Sequence, residues 1–482
     1  MSSTVEHKLD ESFKHINESS EHHNGTHGTV TELLNFQSDI EEGQNTDQEE
    51  EVNEEETNAP HADGGKDAWL FLAGCFIFEA LIWGFPFAFG VFQSYYSTHA
   101  PFDRNPKGIA VVGTCATGIM YLFAPISLYI LERFPTIRRL SSIIGLALVS
   151  IALIGASFAS HTWHLIITQG VLYAIGGSLL YSPTMFYLDE WFIKRKGLAL
   201  GVMWSGVGTS GLIFPFLLSF LVDRYGFRST LRIWAVALVF LCLPLIYYIK
   251  PRLPLTKSRK PHVRPSYAFL KSPVFWFLQT ANILTSLGFF SPSIYLPSYA
   301  SSLHYSPMSG TLLIALLNSF SVIGAISLGH LSDIWHISTV VMLSTLLTTI
   351  PVFLLWGLST SLPSLIAFTL MYGIFAGGWS AIWAGMIREV QRRDKNAGFG
   401  VLMGLFSAGR GIGSVVCGPV SEMLVSYGGW HYAVGGYGTE YGLVIVFTGV
   451  SAICGLVGVA ARVWKSTEMG EMKLVIKVSG SG

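Results

Sequence analysis

Residues 250–272 read "KPRLPLTKSRKPHVRPSYAFLKS", a basic, proline-rich stretch standing between two long series of apolar segments. It carries seven Lys and Arg between Lys250 and Lys271 and no run able to cross a hydrocarbon layer of about 30 Å, which takes about 20 helical residues. Its flanks are different. Toward the C-terminus, runs of that length fall near 273–297, 310–331, 337–359, 362–387, 397–425 and 441–464; toward the N-terminus, near 68–92, 108–130, 140–160, 163–187, 197–222 and 231–249. The basic stretch therefore divides twelve expected spans six and six. Only helices and closed barrels satisfy their backbone hydrogen bonds in lipid, and runs this long and continuously apolar are helical. The expected fold class is an all-α integral membrane protein: six-helix bundles at 68–250 and 273–465, with a basic cytosolic linker at 251–272.

Composition agrees, with half of the 482 residues hydrophobic, 13% charged and a mean hydropathy of +0.47. These values lie outside the range of ordinary soluble domains. The net charge of -1 hides an asymmetry: residues 1–67 hold 18 of the 31 acidic side chains and three lysines, leaving 13 acids against 27 bases in the rest. That acidic tail, with "DQEEEVNEEE" at 47–56, has too little apolar area to offset the cost of ordering, and disorder is expected over 1–67. Its six histidines have no ligand spacing. No apolar segment opens the chain, so the first span is expected to act as the insertion signal.

Lys and Arg between the spans set the orientation. With the N-terminus cytosolic, the cytosolic loops and the C-terminal segment from Arg462 onward, including the tail at 466–482, collect 21 bases and the opposite side five. Both termini are expected in the cytosol, with the plasma membrane as the default location, and the sequons at Asn17 and Asn24 unmodified. Cys75, Cys115, Cys242, Cys417 and Cys454 all fall inside apolar runs without metal or disulfide spacing.

Shifting the fifth span by 203 residues places Gly197, Gly201, Gly206 and Gly208 on Gly400, Gly404, Gly409 and Gly411 of the eleventh. Small residues four apart let helix backbones approach in lipid. In that register Arg410, within "SAGRGIGSVVCGP" at 407–419, falls on Val207. An Arg at a helix centre costs about 2.5–3.5 kcal/mol on insertion scales, so it should face a cavity or a partner. Three readings stand open: an ion pair with Glu79 or another acid, an anchor whose planar fork matches a carboxylate, or a charge satisfied by backbone carbonyls.

A six-plus-six bundle with a basic central loop resembles the major facilitator superfamily, whose halves rock about a site near the mid-membrane. "LERFPTIRR" at 131–139 looks like that family's loop after the second span, and "GHLSDIW" at 329–335 like its repeat after the eighth. In the repeat, Ile334 and His336 replace the usual basic residues, which implies a weaker gate around Asp333. "DEWFIKRKGLALGVMWSGVGTSG" at 189–211 resembles the signature of the monocarboxylate porter family, and "FIFEALIWGFPFAFGVFQSYY" at 76–96 is similar to fungal members. The eighth span, "GTLLIALLNSFSVIGAISLGHL", has no ionisable residue before His330, so the lactate mechanism of animal members does not carry over.

The substrate-binding candidates are Arg410, Asn318, Asn282, Tyr181, Trp379 and Trp383, since polar and aromatic groups in apolar spans usually face the bundle interior. Each of the last five is, taken alone, more often a packing residue than a ligand contact. Glu79, deep in the first span, is the candidate for proton coupling, because burial disfavours a charged carboxyl and a nearby cation favours it; a permanently neutral acid is the alternative. Asp189, Glu190, Arg195 and Asp333 are gate candidates. No nucleophile elbow, metalloprotease helix or phosphate loop appears, so neither an enzyme, a metal site, a cofactor nor a nucleic-acid partner is expected. The expected function is secondary transport of a small organic anion such as a monocarboxylate, with protons as coupling partner, in a lipid bilayer. Alternatives are efflux of a carboxylated secondary metabolite and a non-transporting membrane sensor.

Overall fold

The computed structural model describes residues 60–102, 108–252, 266–428, 430 and 433–462. The acidic tail to residue 59 with both sequons, Arg104 and Lys107, linker residues 253–265 and everything past 462 lie outside the described residues. Among those described, eleven helices are long and apolar enough to cross a membrane, and no strand occurs. In chain order they are α1 Gly65–Thr98, α2 Ile109–Arg133, α3 Pro135–Ala156, α4 Thr162–Trp191, the run Lys196–Tyr248, α7 Pro273–Ser302, α8 Met308–Ile334, α9 Ile337–Trp356, α10 Leu362–Gln391, α11 Phe399–Tyr427 and α12 Gly442–Arg462. The run of 53 residues is two spans. At about 1.5 Å per residue it would reach about 80 Å if straight, and it is broken at Gly226, whose φ of 72° and ψ of 165° suit glycine above all. Numbering the parts α5 (196–225) and α6 (227–248) recovers twelve crossings.

Within the first half α1 packs on α5 and α3 on α4; within the second α7 packs on α11 and α8 on α10. Across the halves, α5 lies against α8 and α2 against α11. The repeated glycines explain both kinds of contact. A Cβ on Gly201 would fall on the Ala325 carbonyl oxygen of α8, and one on Gly404 would crowd the Pro125 backbone of α2. A Cβ on Gly206 would strike the Phe76 carbonyl of α1, and one on Gly409 the Gln279 and Asn282 side chains of α7. Each pair 203 residues apart therefore does one job twice: the first glycine lets the halves touch, the second seats the helix on its own half.

Prolines interrupt several spans, and each frees the carbonyl four residues earlier. With no water in the hydrocarbon layer, neighbouring helices must supply donors. Tyr173 Oη donates to Ile82 O at 2.8 Å, the carbonyl released by Pro86. Ser141 Oγ donates to Leu179 O at 2.9 Å, released by Pro183. Asn318 Nδ2 donates to Gly211 O at 3.1 Å, released by Pro215. The first helix of each half is broken at a matching place, α1 at Ala88 and α7 at Phe290, and the rings of Phe87 and Phe290 lie 6.2 Å apart across the halves.

Gly206→Val should destabilise the purified protein by about 1–3 kcal/mol, the usual effect of overpacking, read as a lower melting temperature in detergent. Gly90→Ala, where an added Cβ meets nothing within 4 Å, should leave the melting temperature unchanged.

Candidate transport site

Arg410 sits midway along α11 and is 3% exposed. Its guanidinium lies 3.8 Å above the ring of Phe289 and 5.9 Å from that of Phe290, at the break in α7. The Tyr121 and Tyr372 phenols are close enough to act on it electrostatically. Among the described residues no carboxylate is within ion-pair distance of it, and its Nε has no hydrogen-bond partner. The expected alternative of an ion pair with Glu79 is not realised in this conformation. Instead Arg410 borders a small cavity inside the second half. Threonines 285, 345, 348 and 448 and the rings of Phe289, Tyr372 and Trp379 contribute to its wall, giving an amphipathic chamber with one cation.

Glu79 is fully buried on α1. Its Oε1 accepts a long 3.5 Å hydrogen bond from Thr184 of α4, and Oε2 has no partner. Trp83 Nε1, one turn further along α1, lies near this carboxyl but outside hydrogen-bond geometry. The Trp83 ring meets Tyr121 at 4.5 Å, Tyr181 at 5.6 Å and Trp204 at 5.7 Å, and Trp204 meets Trp383 of the other half at 6.0 Å. Tyr121 lies within electrostatic reach of both Glu79 and Arg410, so an aromatic layer separates acid from base.

The other expected site residues divide. Asn282 is buried and fully engaged: its Nδ2 donates to Phe406 O at 2.7 Å, and its Oδ1 accepts from Trp379 and Trp383 Nε1 at 3.0 and 3.1 Å. The three form one knot pinning α7, α10 and α11, and Trp379 alone of them reaches the Arg410 cavity. Asn318 spends its amide nitrogen on Gly211. Tyr181 is buried beside Glu79 with its hydroxyl unpartnered. Trp83, Tyr121, Trp204, Phe289 and Tyr372 were not singled out from sequence. Trp83 carried a signal in standing one turn from Glu79; the others are indistinguishable in sequence from packing residues.

The halves are sealed at the end carrying the α2–α3, α4–α5, α8–α9 and α10–α11 connections. Asp333 at the end of α8 accepts from Gly197 N and Leu198 N, both at 2.8 Å, at the start of α5. Glu132 at the end of α2 accepts from Val401 N at 3.0 Å, at the start of α11. Leu198 and Val401 are 203 residues apart, so the two caps are repeats of one device, a carboxylate on the positive end of a helix in the opposite half. Although Ile334 and His336 replace the basic residues of the motif, Asp333 does have a cationic partner, because Arg388 of α10 donates to it at 2.7 Å. The remaining gate candidates stay within the first half: Asp189 pairs with Lys196, Glu190 with Arg138 at 3.2 Å, and the Arg195 residue is exposed. Among the described residues no three His, Cys, Asp or Glu side chains are grouped to hold a metal ion.

Two half-bundles with matched caps, enclosing a buried cation beside a cavity, define a multi-pass membrane transporter rather than an enzyme. Residues 75–401 match the pattern of the Major Facilitator Superfamily, and the chain belongs to that family. It is 29% identical over 364 residues to an agnestins efflux protein of Paecilomyces divaricatus, covering 75% of this chain and 82% of the relative. To the MFS transporter asaE of Aspergillus flavus it is 24% identical over 379 residues, 79% and 84% of the two chains. To a fujikurins efflux protein of Gibberella fujikuroi it is 28% identical over 329 residues, 66% and 68%. The superfamily expected from the sequence is thus established. The narrower likeness to monocarboxylate porters gains no support from these relatives, two of which are named for efflux.

Asn282→Leu should leave two buried indole N–H groups without acceptors, at about 1–3 kcal/mol each. The expected outcome is a loss of thermal stability larger than that of Asn318→Leu, measured by the melting of the two purified variants.

Proposed function

We propose that this transporter exports an organic anion, best described as a carboxylated secondary metabolite, by alternating access about the Arg410 cavity. The observation that carries the reading is Arg410 itself: a buried guanidinium with no acidic partner, an unsatisfied Nε and a mixed threonine and aromatic chamber beside it. Stacking on an aromatic ring contributes about 2 kcal/mol when desolvated, against an insertion cost of about 2.5–3.5 kcal/mol, so an arriving carboxylate meets a cation still short of compensation. The planar fork would grip it through two parallel hydrogen bonds. The efflux names of the relatives support outward movement over the uptake of a simple monocarboxylate, and the aromatic wall suits a larger, partly apolar acid. The reading places both termini in the cytosol at the plasma membrane.

Protons are the proposed counter-ion, with Glu79 as the exchanging group. Its burial and its unpartnered Oε2 support a carboxyl that holds a proton while enclosed and releases it when the halves part and water enters. A negative Glu79 and an anion-loaded Arg410 would lie on opposite sides of the Tyr121 layer, so the two occupancies are electrically linked.

Arg410→Ala should abolish pH-dependent efflux of the acidic metabolites accumulated by expressing cells, with surface level unchanged. Arg410→Lys, lacking the fork, should retain flux with a substrate affinity lowered about tenfold or more; normal affinity would remove the anchor role. Glu79→Gln should leave anion exchange intact while making net efflux independent of external pH, measured in vesicles with an imposed proton gradient. Persistent proton dependence in that variant would exclude Glu79 as the coupling group.

A further inference from the structure

Ahead of α1 the chain crosses the sealed end of the bundle, and one residue there is held in an unusual way. Asp63 has a φ of +62°, in the left-handed region that is uncommon for non-glycine residues and that Asp and Asn tolerate best. Its Oδ1 accepts from the backbone N–H of Ile193 at 3.0 Å, Lys194 at 2.8 Å and Arg195 at 2.8 Å, and its Oδ2 accepts from Lys194 N at 2.9 Å. The N–H of Asp63 donates to Trp191 O at 2.9 Å. One carboxylate thus organises the whole α4–α5 turn. Immediately beyond, the N–H groups of Gly197 and Leu198 go to Asp333 of the other half. Two carboxylates approaching from different parts of the chain take five of the six amides from 193 to 198.

We infer that Asp63 is a positioning residue for the transport cycle: it fixes the α4–α5 turn in the shape that presents the Gly197 and Leu198 amides to Asp333, so closure at this end depends on a residue lying before the first span. The inference rests on the alternating-access reading. Asp333 must let go of those amides whenever this end opens and find them again when it closes. The bonds to Asp63 lie within the first half and survive the opening. Ordering a free turn costs backbone entropy at every residue, so an unclamped turn would forfeit part of what Asp333 gains on closing.

The test reads closure directly in the full-length protein in membrane vesicles. Ser332, 3% exposed, is packed on Gly197 where α5 and α8 meet. The rate of N-ethylmaleimide labelling of Ser332→Cys, taken as the difference from the parent with its native cysteines, therefore reports opening at this end. Asp63→Ala should raise that rate by about tenfold or more, as expected for losing a charge-assisted hydrogen bond. Asp63→Asn, which keeps one acceptor oxygen, should fall between and guards against a folding defect. Asp333→Asn alone should raise the rate, and adding Asp63→Ala to it should raise it little more, because both act on one row of amides. An unchanged rate in well-expressed Asp63→Ala or Asp63→Asn protein would overturn the proposal, as would an equal, independent increase in both Asp333 backgrounds. The labelling needs no substrate, so failure to detect efflux by the parent would count against the proposed function and leave this measurement standing.

Discussion

Inside a hydrocarbon layer every backbone N–H and C=O must find a partner within the protein, and this constraint accounts for several of the polar side chains buried in these spans. Tyr173 and Ser141 serve carbonyls released by Pro86 and Pro183 in their own half. Asn318 serves the one released by Pro215, but from across the interface between α8 and α5. The first two bonds stay within one half, whereas the Gly211 carbonyl depends on a donor supplied by the other. The hydrogen bonds between the halves obey the same rule at the rim. Glu132 and Asp333 close the structure by satisfying helix N-terminal amides that the opposite half cannot satisfy alone.

Arg410 is the place where satisfaction is incomplete. Its repeat mate Val207 is a buried apolar residue on α5, and the glycines around both positions perform matched packing. The charge is therefore an addition to a conserved geometry of close approach rather than a requirement of it. Burial against Phe289 and the neighbouring phenols makes the cation tolerable without neutralising it, the condition in which an anionic ligand has most to contribute. Glu79 presents the complementary case in the other half, a carboxyl with one oxygen unpartnered, screened from Arg410 by Tyr121 and Trp83.

The spans were legible in the sequence because length and continuous apolarity are one-dimensional properties. So was the 203-residue offset, since glycines needed for backbone approach cannot be replaced without loss of contact. Gly226 was not, because a positive φ between two apolar runs looks like any glycine in a short loop. The loop motifs around Glu132 and Asp333 were visible, but their targets lie in the opposite half, at amides that any sequence possesses. Asn282 and Asn318 read as cavity groups because polarity in a span signals an interior position. Whether the partner there is a ligand or a carbonyl depends on which neighbouring helix turns an unpaired oxygen toward it, as Pro215 does for Asn318. Trp204 and Tyr372 carried no signal at all, as aromatic residues fill lipid-facing, packed and cavity positions alike.

The twofold relation extends to the turns themselves, with its polarity reversed. In the first half the acid lies in the leading segment, where Asp63 accepts from amides of the α4–α5 turn. In the second half the acid lies in the turn: Asp394, before α11, accepts from Phe269 N at 3.2 Å in the segment leading into α7, and Ser266 N donates to Asn396 O at 2.9 Å. Both halves thus fasten the turn that opens their gate helix to the chain that enters their first helix. In one half that entering chain ends the acidic tail, and in the other it ends the basic linker. The bonds to each entering segment stay within its own half, whereas those of Asp333 and Glu132 cross between halves, so each helix start is held from both sides.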